Sequence, residues 1–355
     1  MRVRVSKDSA LQRLDEDGIF NSVTYSEFCC EYTDHRPLNL MTMFDSVLII
    51  ADIEGSSGCW SYRASAFKTH EWVAACVDMT RDVAAVVRSL LDNGVHRVIV
   101  KDFHRTGFNL LPEMINSRAK VVQGYKVGPV PGIGDPGSAE AVLFLGMHAA
   151  SGSSGFMAHT LTSRIRRLEV NGELLPEVYL FAGSVASCGV RPIFFSGCPV
   201  ACDQARGIIP GLHTYSIDKS VGRQEFAVEP WRQGLARAAT SALHDAQAVP
   251  FEPPGPFDTK VTLREGEPAA QKLAARWGFH RQGADIVLHN ARLGDLYLDL
   301  IRICYLTPMA ERVLPLAVAA SNLRGRAGLA WLRRQIKNRG LNDSTDATLN
   351  GLRHR

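Results

Sequence analysis

The 355 residues predict an α/β fold: a mainly parallel sheet with flanking helices, plus a smaller C-terminal α/β unit. Three features carry that expectation. Short apolar runs rich in β-branched residues recur along the chain, each with the length of a strand buried on both faces. Stretches with helical apolar spacing lie between them. Strands that alternate with helices in this way build parallel sheets.

The first 45 residues are polar and net negative, with only a short helix predicted at 9–14, so they read as an N-terminal extension. At Ser46 the character changes to the run Ser-Val-Leu-Ile-Ile-Ala, the first strand. Residues 73–91 show helical spacing and stop at Asp92-Asn93-Gly94, a C-terminal signal. Further strands are predicted at 97–100, 141–145 and 192–195, the last preceded by a helix over 177–187. Between 166 and 175 the pair Asn171-Gly172 supplies the two positive-φ residues of a type I′ hairpin turn. Residues 250–256 are Pro-rich and mark a linker. Beyond it, a strand at 260–263, a helix at 269–277, a run at 285–289 and a helix at 294–306 make the smaller unit. The resulting division is an extension at 1–45, a catalytic α/β domain at 46–250, the smaller unit at 251–316 and a basic helical tail at 317–355. Residues 317–336 are expected to pack on a neighbouring subunit through an amphipathic helix anchored by Trp331.

Composition narrows the function classes. With 46% hydrophobic and 21% charged residues the chain is neither disordered nor collagen-like. A net charge of +4 is too balanced for a protein built to grip nucleic acid. No apolar run reaches the ~20 residues that span a bilayer, and Met1–Asp17 lacks the apolar core of a signal peptide. A cytoplasmic location is therefore expected. The eight cysteines form no CxxC pair, and Cys198 and Cys202 lack a second pair to complete a zinc knuckle. They read as reduced, mostly buried thiols. A dinucleotide site would want G-x-G-x-x-G after the first strand, but the carboxylates of Asp52-Ile-Glu54-Gly-Ser-Ser-Gly58 would repel a pyrophosphate. Ser153, Ser154 and Ser196 lack the G-x-S-x-G frame of a serine hydrolase.

The strand ends carry the chemistry. The first runs into Asp52-Ile-Glu54-Gly, the second into Lys101-Asp102-Phe-His104, the third into Gly146-Met-His148. Ligands of open α/β sheets sit at the carboxyl ends of the strands. Asp52 and Glu54 are two apart, so in extended chain both leave the same face. Taken singly, such an acid is most often a helix cap and such a histidine a hydrogen-bonded loop residue. Jointly, two carboxylates and two imidazoles on one edge suit zinc, manganese or cobalt. Glu177, at the start of a predicted helix, offers a further ligand for a two-metal site. The Gly/Ser stretch 149–155 reads as a flexible loop, and His159 after it is a candidate acid, base or nucleophile outside the ligand set.

These motifs, Asp52-x-Glu54-Gly55-x-x-Gly58, Asp102-x-His104, Leu145-Gly146-x-His148-Ala149, Met157-x-His159 and Glu177, resemble in order and spacing the zinc-dependent D-aminopeptidase family. The resemblance runs from about 46 to 308. It implies two zinc ions held by Asp52, Glu54, His104, His148 and Glu177, with His159 at the family's catalytic histidine. It also implies a homo-oligomer, a decameric ring of two stacked pentamers, and release of an N-terminal D-residue from a small peptide. The extension, the tail, Cys59-Trp60 and Cys198-Pro199 depart from the family pattern. Two further expectations stand beside hydrolysis: amide formation or acyl transfer at the same metals, and a non-catalytic oligomeric scaffold, which would lack a ligand or His159.

Overall fold

The computed structural model describes residues 43–244 and 247–340. The helix expected at 9–14, Cys29, Cys30 and the end of the basic tail lie outside the described residues.

In chain order the elements are β1 (Ser46–Ala51), the one-turn α1 (Tyr62–Ser65), α2 (His70–Asp92), β2 (Arg97–Asp102), β3 (Ala119–Val122) and β4 (Ala141–Met147). The hairpin β5 (Ile165–Val170) and β6 (Glu173–Leu174) follows, then α3 (Glu177–Ala186), β7 (Arg191–Gly197), α4 (Pro199–Ile208), β8 (His213–Ser216) and α5 (Val228–Ser241). The remainder is β9 (Phe257–Leu263), α6 (Glu267–Trp277), β10 (His280–Gln282), β11 (Asp285–Asn290), α7 (Leu293–Tyr305), α8 (Pro308–Arg312) and α9 (Leu314–Arg339). Strands and helices expected within the described residues are present, their ends displaced by a few residues. The expected hairpin turn is there too, with φ of +52° at Asn171 and +87° at Gly172. The elements that patterning does not reveal are short or polar ones: α1, β3, α4, β8, α5, β10 and α8.

Six strands form one sheet in the order β3-β2-β1-β4-β7-β8, every pairing parallel. The chain leaves β1 toward β2 and β3, then crosses back to lay β4 on the other side. The crevice beyond the carboxyl ends of β1 and β4 is therefore the topological switch point, where ligands of such sheets bind. Register fixes this edge, because Ala51 stands opposite both Asp102 and Leu145. Val47, Ile49 and Ala51 point into a core built with α2, α5 and α9. Leu48 and Ile50 point into a second core with α3, α7 and a second sheet. That sheet is antiparallel, in the order β10-β11-β9-β5-β6, and draws strands from both sides of residue 250. No helix among the described residues is long and apolar enough to cross a membrane.

After β1 the chain lies directly against β4. Asp52 N–H donates to Leu145 O (2.8 Å) and Gly55 N–H to Gly146 O (2.7 Å). A Cβ on Gly55 would overlap Met147 O, and one on Gly146 would overlap Asp52 O. Both glycines are there because two backbones touch. Gly55→Ala is expected to cost about 1–3 kcal/mol through overpacking, read as a lower denaturation midpoint. Gly294→Ala, where an added Cβ meets nothing within 4 Å, should leave the midpoint unchanged or slightly raised.

Candidate metal centre

Asp52 and Glu54 follow β1, His104 follows β2, and His148 follows β4. The strands bearing the two histidines flank the strand bearing the carboxylates. Glu177 opens α3 behind the hairpin. All five side chains are buried, at 2–6% exposure. The segment from Asp52 to Glu54 is not extended, as its sequence spacing suggested. It turns at once, with Ser56 N–H donating to Ile53 O (3.0 Å), and the two carboxylates reach the same cluster through that turn.

Asp52 lies at the middle. Its Oδ1 is 2.9 Å from His104 Nδ1, and its Oδ2 is 3.5 Å from His148 Nε2. Glu54 Oε2 stands 3.0 Å from His104 Nδ1, and Glu177 Oε1 3.4 Å from His148 Nε2. The ligand atoms of Asp52, Glu54 and His148 all lie within 4.8 Å of one another, as do those of His148, His159 and Glu177. His159 is thus nearer than its sequence position suggested. Its ring stacks on His148 with centroids 3.7 Å apart and planes 13° apart.

A carbonyl fixes each imidazole. His104 Nε2 faces Ser65 O (2.8 Å), His148 Nδ1 faces Ala149 O (3.2 Å) and His159 Nδ1 faces Met157 O (2.8 Å). A carbonyl only accepts, so the facing nitrogen carries the proton. In the neutral ring the other nitrogen presents its lone pair, which for His104 and His148 points at carboxylates. This backbone orientation of the far nitrogen is typical of metal-binding histidines. Beyond its 3.0 Å ion pair with His104, buried Glu54 Oε2 has no hydrogen-bond partner. A buried carboxylate oxygen with no hydrogen bond beyond that ion pair, set beside two aimed imidazoles, fits a divalent cation.

Protons compensate the charge in the metal-free cluster. Burial alone would raise the acids and depress the imidazoles. Burial, reinforced by the charge of Glu54, lifts Asp52 to about 7. At Glu54 the His104 imidazolium overcomes burial and holds the carboxyl well below its ordinary value. His104 is raised in return by Glu54 and Asp52, against its own desolvation. Glu177 likewise overcomes burial to push His148 up to about 10, and Glu177 itself is lowered by His148. His159 is lowered, by burial and then by the adjacent His148 charge.

Loops hold the site from outside. Asp102, on the strand before His104, is no ligand. Its carboxylate accepts from Asn109 N (2.5 Å), Leu110 N (2.8 Å) and Asn109 Nδ2 (2.9 Å), which fixes the turn after His104. Ser57 N and Oγ donate to Asp82 of α2 at 2.7 and 2.8 Å, and Arg232 of α5 binds the same carboxylate at 2.9 Å. Lys219 Nζ donates to Ser56 O (2.5 Å) and Cys59 O (2.7 Å) and lies 4.4 Å over the Trp60 ring. Sequence reading missed Asn109, Asp82, Arg232 and Lys219, since none lies at a strand end. The Asp102-x-His104 spacing was the only signal in this shell. Strain gathers here as well, with positive φ at Arg105 (+48°), Met157 (+49°) and Leu161 (+61°). Leu161 N–H donates to Glu177 Oε1 (2.6 Å), so the loop bearing His159 and the acid on α3 are tied together.

A family profile described as D-aminopeptidase matches residues 46–292. The D-aminopeptidase of Bacillus subtilis (strain 168) is 26% identical over 183 residues, covering 50% of this chain. The match spans 66% of that relative, just under two thirds of its length. Among solved structures, a zinc-dependent D-aminopeptidase from Bacillus subtilis, described as a self-compartmentalizing protease, shares the fold. Its TM-score is 0.65 at 19% identity, over 72% of this chain and 96% of that one.

Zinc entering the cluster must displace protons held by His104 and His148, whose folded values are raised, because metal takes the deprotonated ligands. Calorimetry of zinc binding to the metal-free chain at pH 7 should therefore give heats that vary with the ionisation enthalpy of the buffer, in the sense of proton release. Apparent affinity should rise from pH 6 to pH 8. Heats independent of buffer would contradict the paired cluster.

Proposed function

The chain belongs to the D-aminopeptidase family, and on that premise we propose that it is a dizinc aminopeptidase releasing N-terminal D-residues from short peptides. One observation carries the reading. The two oxygens of buried Asp52 face opposite histidines, His104 beside Glu54 and His148 beside Glu177. Asp52, Glu54 and His104 would hold one ion; Asp52, His148 and Glu177 would hold the other. Zinc bound there supplies a water of near-neutral pKa and a Lewis acid for the scissile carbonyl.

His159 is assigned the proton transfers. With Nδ1 committed to Met157 O, its Nε2 is the free base. Burial and His148 keep the ring neutral, the form able to take a proton from the attacking water and pass it to the departing amine. The D-preference rests on the family and on the activity named for the Bacillus relatives.

The proposal extends to the assembly and its setting. A homo-oligomer is supported by the self-compartmentalizing character of the solved relative and by the exposed apolar residues Met309, Leu316 and Leu323 on α8 and α9; the decameric ring is the specific form proposed. Six free cysteines among the described residues support a reducing, cytoplasmic environment. The chemistry is assigned to residues 46–316, with 1–45 and 317–355 as additions to it.

His159→Ala is expected to slow hydrolysis of a D-aminoacyl tripeptide by about 10²–10⁴-fold while zinc content stays unchanged. Loss of an ion in that variant would make His159 a ligand instead. Equal rates on the D- and L-isomers of the tripeptide would contradict the stereochemical assignment.

A further inference from the structure

We propose that α9, which lies wholly beyond the matched segment 46–292, positions His104 and so sets the affinity of the metal subsite that His104 shares with Glu54. The inference rests on the metal-centre reading given above. The helix was expected to anchor on a neighbouring subunit through Trp331. That ring instead stacks on Trp72 of the same chain, with centroids 6.2 Å apart and planes 23° apart.

Four residues three apart, Asn322, Gly325, Gly328 and Trp331, lie on one i, i+3 ridge running obliquely across the helix. Each meets a residue from which a short path of chain and hydrogen bonds leads to His104. Asn322 Oδ1 accepts from Tyr125 N (2.9 Å) and its Nδ2 donates to Tyr125 O (3.0 Å), filling the place that a side chain on Gly124 would take. Gly124 N–H donates to Gly107 O (2.7 Å), and Gly107 N–H donates to His104 O (2.8 Å). Where Gly325 lacks a side chain, the Phe108 ring occupies the space. The next residue, Asn109, donates from Nδ2 to His104 O (2.7 Å). Where Gly328 lacks one, the Phe67 ring enters, two residues after the Ser65 carbonyl that accepts from His104 Nε2 (2.8 Å). Trp331 supports Trp72, whose Nε1 donates to Asn109 Oδ1 (3.0 Å).

All four routes end on the His104 main chain or on its outer nitrogen. The two glycines are what let the helix axis come close enough for the phenylalanine rings to reach it. His148 and Glu177 depend on other partners, the Ala149 carbonyl and the Leu161 amide. A disturbance of the ridge therefore reaches one subsite and spares the other. This differs from a general packing role, which would affect both subsites through global stability alone.

The test is zinc titration of the full-length chain against a chromophoric chelator, repeated with cobalt(II) to follow ligand-field absorption. The unaltered chain, Gly325→Ala, Asn322→Ala and Ala327→Gly are compared. Ala327 is exposed on the same helix, so its glycine variant weakens the helix without touching the ridge. Two ions are expected for the unaltered chain and for Ala327→Gly. Gly325→Ala and Asn322→Ala should weaken one ion by roughly ten- to a hundred-fold, the usual effect of disturbing a ligand's outer partner, with the second ion held as before. If Gly325→Ala does not fold, Asn322→Ala, which deletes only two hydrogen bonds, decides the matter. Two ions of unchanged affinity in the ridge variants, or equal weakening of both, would overturn the proposal while leaving the metal centre standing. An unaltered chain that takes up no zinc or cobalt would overturn the metal-centre reading and this inference with it.

Discussion

Three carboxylates and two imidazoles are buried together at one edge of a parallel sheet, and this concentration of charge is the constraint around which the structure is arranged. An isolated buried ion is costly enough that proteins neutralise or pair it. Here the pairing is internal, Asp52 and Glu54 with His104, and Glu177 with His148. The Glu54 oxygen that meets His104 has no hydrogen bond beyond that pair. A cluster that balances its charge with protons, and balances it incompletely, is one that divalent cations can take over. The strand order serves the same need, since β1 between β2 and β4 makes residues 52, 104 and 148 neighbours on the edge that all parallel strands share.

Holding such a cluster demands a rigid surround. The carbonyls of Ser65, Ala149 and Met157 fix which nitrogen of each histidine faces inward. The loop after β1 is pressed against β4 by two backbone hydrogen bonds and held from the far side by Ser57, Asp82 and Arg232. Of the five non-glycine residues with positive φ among those described, three, Arg105, Met157 and Leu161, stand at the site. These three residues flank His104 and His159, where side-chain direction matters most.

The sequence made some of this legible and concealed the rest, for physical reasons. Buried parallel strands write continuous apolar runs, so β1, β2, β4 and β7 could be seen, and with them the sheet edge where ligands gather. The candidate residues stood out because polar ligand-type side chains follow those runs directly. The turn at Ile53 did not show, because two carboxylates spaced by one residue read equally as extended chain. Ser65 could not be found, since its contribution is a carbonyl that every residue possesses. Arg232 lies 150 residues from Asp82, and no local pattern links them. The partner of Trp331 was not legible, because a Trp on a basic helix looks alike whether the ring it meets belongs to the same chain or to another copy. Short edge elements such as β3 and β8 escaped because four residues carry too little periodicity.

The account stands or falls on two ions sharing Asp52. Diffraction data from crystals of the zinc-loaded chain, collected on both sides of the zinc absorption edge, test it most directly. The account predicts two anomalous peaks, one among Asp52, Glu54 and His104, the other among Asp52, His148 and Glu177. A single peak, or peaks away from Asp52, would contradict it.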